Sequence, residues 1–386
     1  MGAGFGGMLP KTEMFSSSRS RNRVCQVCKR SSFPLSQILP ICLSCLRTSP
    51  EKTESVVLEA HRLSRTPFGL PVMPPRDPLG SPCTICANHC SIPEGEKGYC
   101  GLRTNEKGRL IGVSSQRGRV SWYYDSLPTN CVADWVCPGG TGAGYPQFAH
   151  RQGPEHGYRN LAVFYLGCSF NCLFCQNWTF RRDLGRQKET TPQELASFAN
   201  GSTSCICYFG GDPTPQLHHA LSVSRLALKN RGNRILRICW ETNGSMGRRL
   251  LQKMVDVSWP SGGCIKFDLK AWNENVHKAL CGVENKRTLE NFAYAASRIP
   301  ERPDPPPLIA STLLVPGYID EVEVEGIANF IASLDVDIPY ALLAFSPQFF
   351  MNDLPTTSRD LADRCLAVAQ RAGLKRVRIG NIHLLR

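Results

Sequence analysis

Apolar and polar positions along the chain change their rhythm near residue 160. From there on, short apolar runs alternate with amphipathic stretches of helical period. The runs Leu161–Leu166, Cys205–Phe209, Ile235–Trp240, Cys264–Leu269, Leu308–Val315 and Ala341–Phe345 read as buried strands. Between them, Pro192–Ala199, Gln216–Lys229, Met246–Val255, Leu289–Arg298 and Val322–Leu334 read as helices. A further helix, Ser358–Gly373, precedes a short strand, Val377–Ile379. Thr191-Pro192-Gln193-Glu194 and Thr357-Ser358 have the composition of helix starts. Strand–helix alternation predicts a parallel sheet with right-handed crossovers. Six units are fewer than the eight of a closed barrel, so the fold class expected is α/β, a partial (β/α)6 TIM barrel over residues 158–386.

Upstream the pattern is irregular and dominated by cysteine, and it predicts a Cys-rich, metal-binding N-terminal region. Residues 25–45 carry Cys25-x2-Cys28 and Cys42-x2-Cys45, a spacing that suits four-cysteine zinc. So short a segment buries little core, and metal would supply its folding energy. Residues 46–80 are rich in Pro, Ser and Arg and read as linker. In the 81–157 region, Cys83, Cys86, Cys90 and Cys100 form a second group with uneven spacing. One structural metal, zinc or iron, is expected there, with a second cluster for electron relay as the alternative. The glycine-rich Cys137–Gly144 is followed by Tyr145-Pro146 and lacks the Lys-Ser/Thr of a phosphate loop. It reads as an irregular wrapping loop.

Composition is globular, with 42% hydrophobic and 20% charged residues. The chain of 386 residues shows no apolar run of transmembrane length, so no membrane span is expected. Its 19 cysteines, in close-spaced groups, argue against a secreted disulfide framework and for metal ligands in a reducing compartment; the cytoplasm is expected because an iron–sulfur centre with an open position is oxygen-labile. Residues 1–24 are expected to be a flexible basic tail. Lys11, Arg19, Arg21, Arg23, Lys29, Arg30 and Arg47 face one acid, Glu13, within residues 1–50, out of a net charge of +13. Such an end could attract nucleic acid, but no aromatics interleave with it to stack bases.

The decisive stretch follows the first strand, at Cys168-x3-Cys172-x2-Cys175. Three thiolates can hold three irons of a cubane [4Fe–4S] cluster, which ordinarily takes four cysteines. One iron is then left without a protein ligand, and an open coordination position is where metals do chemistry. A zinc site, or buried small hydrophobes, are the plainer readings of the same cysteines.

This stretch, with Phe174 just before the last cysteine, resembles the radical S-adenosylmethionine (radical SAM) superfamily. Glu241-Thr242-Asn243-Gly244 and Asp268-Leu269-Lys270 resemble motifs of the pyruvate formate-lyase activating enzymes. The Cys83–Asn105 pattern, Cys175-Gln176-Asn177-Trp178 and the closing Ile379-Gly380-Asn381 resemble the AmmeMemoRadiSam-system enzymes. Together the resemblance covers residues 83–386 and leaves out 25–45 and the Cys131–Gly144 loop. It implies that Cys168, Cys172 and Cys175 ligate the cluster and that S-adenosylmethionine binds the open iron and yields a 5′-deoxyadenosyl radical. Phe174 would then lie at the cofactor. Gly210-Gly211-Asp212 would receive the methionine amino group. Glu241 and Asp268, with the Thr242 and Lys266 carbonyls, would hold a monovalent cation, and Lys270 would pair with the cofactor carboxylate or with Asp268. Asn243 would belong to the same cofactor edge. The edges Val315–Tyr318, Phe345–Gln348 and Arg378–Ile382 would face ribose and adenine. A reducing partner of flavodoxin or ferredoxin type and a macromolecular, protein-like substrate are implied. Glycyl-radical activation proper fits less well, because the cluster motif starts at 168 and Phe180–Glu189 holds no cysteine. A zinc-ribbon adaptor binding nucleic acid or protein is the reading from another class. His218, His219, His277 and His383 read as surface or packing residues, and Cys205, Cys207, Cys239 and Cys264 as core. Cys281 is a distant candidate for the cavity.

Overall fold

The computed structural model describes residues 23–32, 34–186 and 188–386. The expected basic tail, 1–24, lies almost wholly outside the described residues. The main sheet has seven parallel strands in simple sequential order: β2 (Arg159–Tyr165), β3 (Thr203–Gly210), β4 (Arg237–Thr242), β5 (Ile265–Asp268), β6 (Leu308–Leu314), β7 (Tyr340–Ala344) and β8 (Val377–Gly380). Each strand pairs with its successor, as a barrel wall requires, and the short final strand joins as a seventh. The wall is not closed. An antiparallel strand, β1 (Gly118–Ser126), flanks β2 with Val120 opposite Tyr165.

Alternation along the strands sorts the side chains. Ile206, Tyr208, Ile238, Trp240, Ile265 and Phe267 are fully buried in the main core. Residues of the opposite parity, Cys207, Cys239, Glu241 and Lys266, line a cavity instead. The helices fall where the pattern put them, at Pro192–Ser197, Leu217–Asn230, Arg248–Ser258, Lys286–Ser297, Glu321–Leu334 and Arg359–Arg371. Thr191, Asp320 and Ser358 cap three of them by accepting from backbone N–H groups.

Three readings of the sequence are corrected here. Residues 46–80 are not simply linker: Pro50–Arg65 is a 16-residue helix, α1, with Pro50 in its first turn. Its buried positions are mainly polar (Thr53, His61, Ser64, Arg65), so no apolar stripe announces it. Glu274–Cys281 is a further helix, α2, capped by Asn273 and closed by Gly282 at φ 75°. The Cys137–Gly144 stretch is not wholly irregular, since it opens on one helical turn at Pro138–Thr141, with β1 upstream of it.

The segment 25–45 is docked on the barrel. The Tyr318 hydroxyl donates to the Leu39 carbonyl at 2.5 Å and accepts from the Ser36 N–H at 3.0 Å. Ser36 and Gln37 donate to Asp353, and Arg23 pairs with it at 2.5 Å. Arg47 bridges Asp320 and Glu323. Gly317 presses on Pro34 so closely that a Cβ would sit 2.1 Å from its carbonyl oxygen. The Val315–Tyr318 edge, expected to face ribose and adenine, is therefore occupied by this segment.

Candidate active site

The three cysteines sit on the loop leaving β2, at the C-terminal end of the parallel strands, where barrel chemistry is placed. All three thiols are pushed up from their ordinary range, Cys168 and Cys175 by burial and Cys172 first by the Cys281 thiol and then by burial. Opposing charge is close by. Arg181 lies beside Cys175 and Lys270 acts on Cys172, each favouring the thiolate. Arg181 is 3% exposed, yet its Nε and Nη1 have no hydrogen-bond partner. The guanidinium stacks over the Phe180 and Phe349 rings, and its charge is directed at Cys172 and Cys175.

The loop is held from many sides. Asn171 is fully buried: its amide lies 2.8 Å from both His61 Nδ1 and Ser64 Oγ, and its Oδ1 accepts from Arg181 at 3.0 Å. The Asn171 and Leu173 N–H groups donate to the Cys281 and Leu280 carbonyls at the end of α2. Asn88 donates to the Ser169 carbonyl at 2.7 Å. Cys172 and Cys281 place their sulfurs 3.5 Å apart, within reach of an S–H···S contact. Phe174 is buried in the main core, and Trp178 stacks on Phe349.

Gly210-Gly211-Asp212 serves this loop directly. Gly211 N–H donates to the Tyr165 carbonyl and Asp212 N–H to that of Gly167. A Cβ on Gly211 would lie 2.3 Å from the Gly167 oxygen, and one on Gly210, at φ 120°, 2.7 Å from Tyr165. The close approach that needs glycine is therefore between two backbone segments. Asp212 is buried, and its carboxylate accepts from the Thr214 and Asn243 N–H groups and from the Thr242 hydroxyl. Burial raises its pKa to about 6. It ties the end of β3 to the end of β4. From β4, Asn243 donates to Ser169 Oγ at 2.9 Å and approaches Cys168 Sγ at 3.6 Å.

The pair of acids expected to share a monovalent cation is separated. The β4–β5 register sets Glu241 opposite Lys266, which leaves Asp268 two residues further on. Glu241 pairs with the Lys266 ammonium at 3.1 Å, and Asp268 with that of Lys270 at 2.6 Å. Asp268 also accepts from Ser311.

Elsewhere, Cys25, Cys28, Cys42 and Cys45 have all four sulfurs within 4.8 Å of one another. Cys28 is lowered to about 6, chiefly by the Arg30 backbone N–H, whereas burial lifts Cys45 to about 12. Among the described residues, no other set of three or more such ligands converges so tightly. Cys83, Cys86, Cys90 and Cys100 surround a pocket of about 10 Å³ without converging. His219 and His277 are buried, hydrogen-bonded and held near 4 by desolvation, as packing residues.

With this geometry in place, the comparisons decide the family. Residues 162–331 match the model of the Radical SAM superfamily. The chain carries a radical SAM domain. It is 28% identical over 310 residues to an uncharacterized protein of Methanocaldococcus jannaschii, covering 78% of this chain and 81% of that one. It is 26% identical to the isethionate sulfite-lyase activating enzyme of Desulfovibrio desulfuricans, over 68% of this chain and 75% of the relative. To the pyruvate formate-lyase 1-activating enzyme of Escherichia coli K12 it is 30% identical, over 35% and 55%. The protein is therefore an enzyme of the radical SAM type, and the family implies S-adenosylmethionine and an iron–sulfur cluster as cofactors. No helix among the described residues is long and apolar enough to cross a membrane.

The sequence reading missed His61, Ser64, Asn171 and Arg181. Asn171, inside the cysteine motif, was the one with a signal: a buried amide within a metal loop needs partners from elsewhere in the chain.

Proposed function

We propose that Cys168, Cys172 and Cys175 ligate a [4Fe–4S] cluster and that the enzyme abstracts hydrogen from a polypeptide substrate. The observation that carries this reading is the buried Arg181 guanidinium, whose charge acts on Cys172 and Cys175 of a three-thiol loop at the C-terminal end of the sheet. An anionic cluster would supply its acceptors, so the residues present fit the group. The three sulfurs also do not converge on a single-ion spacing. Held by these three cysteines, the cluster would supply one-electron reductive cleavage of the S-adenosylmethionine sulfonium.

The chain's own contribution is position and charge. Asn171, pinned by His61, Ser64 and Arg181, fixes the loop between its thiols. Asn243 orients the Cys168 side through Ser169, and Asp212 holds Asn243 by its backbone. Arg181 and Lys270 offset negative charge, which favours the reduced cluster. The activating-enzyme relatives support a protein substrate and a small reducing partner of flavodoxin or ferredoxin type. The docked segment 25–45 is assigned one structural zinc, because its four sulfurs converge as tetrahedral coordination requires. Of the basic side chains around it, the flanking Arg23 and Arg47 are paired with Asp353, Asp320 and Glu323, whereas Lys29 and Arg30 within it are exposed.

The test is anaerobic reconstitution followed by reduction in the presence of S-adenosylmethionine. Release of 5′-deoxyadenosine is expected, with deuterium transfer into it from a labelled polypeptide substrate. Reduced, cofactor-loaded protein that releases none overturns the reading.

A further inference from the structure

The lumen of the barrel is where this chain departs most from its own fold. Barrel interiors are ordinarily filled by layers of branched aliphatic side chains. Here Cys131, Cys137, Cys205, Cys207, Cys239 and Cys264 line a cavity of about 110 Å³ together with the buried Lys266. Strand register builds half of this wall. Cys207 stands opposite Cys239 on β3 and β4. The Trp240 N–H donates to the Cys264 carbonyl at 3.0 Å, and Trp240 is opposite Ile265, so Cys264 falls beside Cys239 on β5. Three thiols therefore form a row across three adjacent strands on the inward face.

The other half comes from the segment after β1, which runs into the glycine-rich Cys137–Gly144 stretch. It brings Cys131 and Cys137 into one small cluster with Cys239, Cys264, Ala133 and Ile309. That segment is fastened at two points. Glu155 makes a bidentate pair with Arg237 at 2.8 and 2.6 Å, and Asp134 pairs with Arg378 at 2.6 Å. The Cys137 N–H donates to the Ala133 carbonyl at 2.8 Å, which fixes the turn between the two cysteines.

Charge indicates what the thiols are for. The Lys266 ammonium lies 3.1 Å from the sulfurs of Cys131 and Cys207, and its carboxylate partner among the described residues is the partly exposed Glu241, which also faces the Cys131 thiol at 3.6 Å. A neutral thiol is a weak acceptor, so burying an ammonium against two of them is costly. The arrangement becomes more favourable when Cys131 belongs to an anionic, metal-bound centre, with Cys207 as its neutral neighbour. We propose that Cys131, Cys137, Cys239 and Cys264 ligate an iron–sulfur centre in the barrel lumen, beside Lys266, separate from the cluster at Cys168–Cys175.

Soft thiolate ligands select zinc, copper(I) or iron–sulfur. A lone tetrahedral ion with metal–sulfur bonds of about 2.3 Å would draw its sulfurs together. No three of these sulfurs lie mutually within 4.8 Å, unlike the set at 25–45. They surround space instead, as inorganic sulfide and several irons require.

The experiment uses the full chain, reconstituted anaerobically with iron and sulfide. Iron, sulfide and zinc per chain are compared between wild type and the variants C131S/C137S and C239S/C264S. Each variant is expected to lose about four irons and about four sulfides relative to wild type. Both should keep zinc and keep the spectral response of the remaining cluster to added S-adenosylmethionine. The triple variant C168A/C172A/C175A is expected to retain the lumen iron while losing that response, so the two sites fail separately. Unchanged iron and sulfide in both folded double variants overturns the proposal, as does loss of one zinc with no sulfide. Should either variant not fold, iodoacetamide labelling of wild type decides. Cys131, Cys137 and Cys239 should label in the metal-free protein and be protected after reconstitution; equal labelling in both states overturns the assignment.

Discussion

The segment 25–45 and the loop 168–175 use the same residue type for opposite ends. In the first, four sulfurs lie within 4.8 Å of one another, and their support is local: the Cys42 N–H donates to Cys25 Sγ, and backbone near Cys28 lowers its thiol to about 6. In the second, three sulfurs stay apart, and their support is drawn from across the chain, from His61, Asn88, Asn243 and Cys281. A closed site can be written into twenty residues. An open one needs a scaffold to keep its ligands from collapsing together.

The sharpest way to break this contrast is to remove the open site alone. Replacing Cys168, Cys172 and Cys175 with Ala should abolish 5′-deoxyadenosine release and remove about four irons, leaving zinc at wild-type level. Persistence of turnover would show that the contrast is misassigned. The reverse experiment is C28S/C45S. It should release the zinc and lower the melting temperature by several degrees or more. Cleavage of S-adenosylmethionine should continue at temperatures where the barrel stays folded; its disappearance from folded protein would mean the two sites are not separable.

Asp212 sharpens the comparison through pH. Its folded pKa, raised to about 6, lies above the unfolded value near 3.9. Its contribution to stability is therefore full below about pH 4 and is lost as pH rises through 6, a change on the order of 2–3 kcal/mol. In the triple variant that lacks the 168–175 cluster, Asp212→Asn should flatten that part of the melting profile. An identical slope in the two proteins would count against the buried carboxyl.

The smallest effect is expected at Cys281→Ser. Removing a sulfur 3.5 Å from Cys172 should shift the reduction potential of the cluster, with iron content and product yield nearly unchanged. Loss of iron would mark Cys281 as a fourth ligand and end the idea of an open corner.

Sequence legibility followed the nature of each buried face. The parallel strands and six of the helices were readable because their inward sides are apolar and periodic. Pro50–Arg65 was not, because it buries His61, Ser64 and Arg65, whose partners are Asn171 and the Pro71 and Tyr99 carbonyls. Hydrophobic periodicity cannot signal a helix that docks through hydrogen bonds. The cysteine loop was legible from spacing alone. Asp212 and Glu241 were found as residues, but their partners depend on strand register, which one sequence does not state. The lumen cysteines were read as core because an alternating strand gives no hint whether its inner face meets another side chain or a cavity.

The polar helix Pro50–Arg65 has a practical consequence for anyone trimming this protein. A recombinant fragment cut to the matched segment 162–331 would keep every cysteine of the open loop. It would delete His61 and Ser64, leaving the Asn171 amide to water or to nothing. Such a fragment should express as a barrel that takes up iron poorly, and its inactivity would say little about the enzyme it came from.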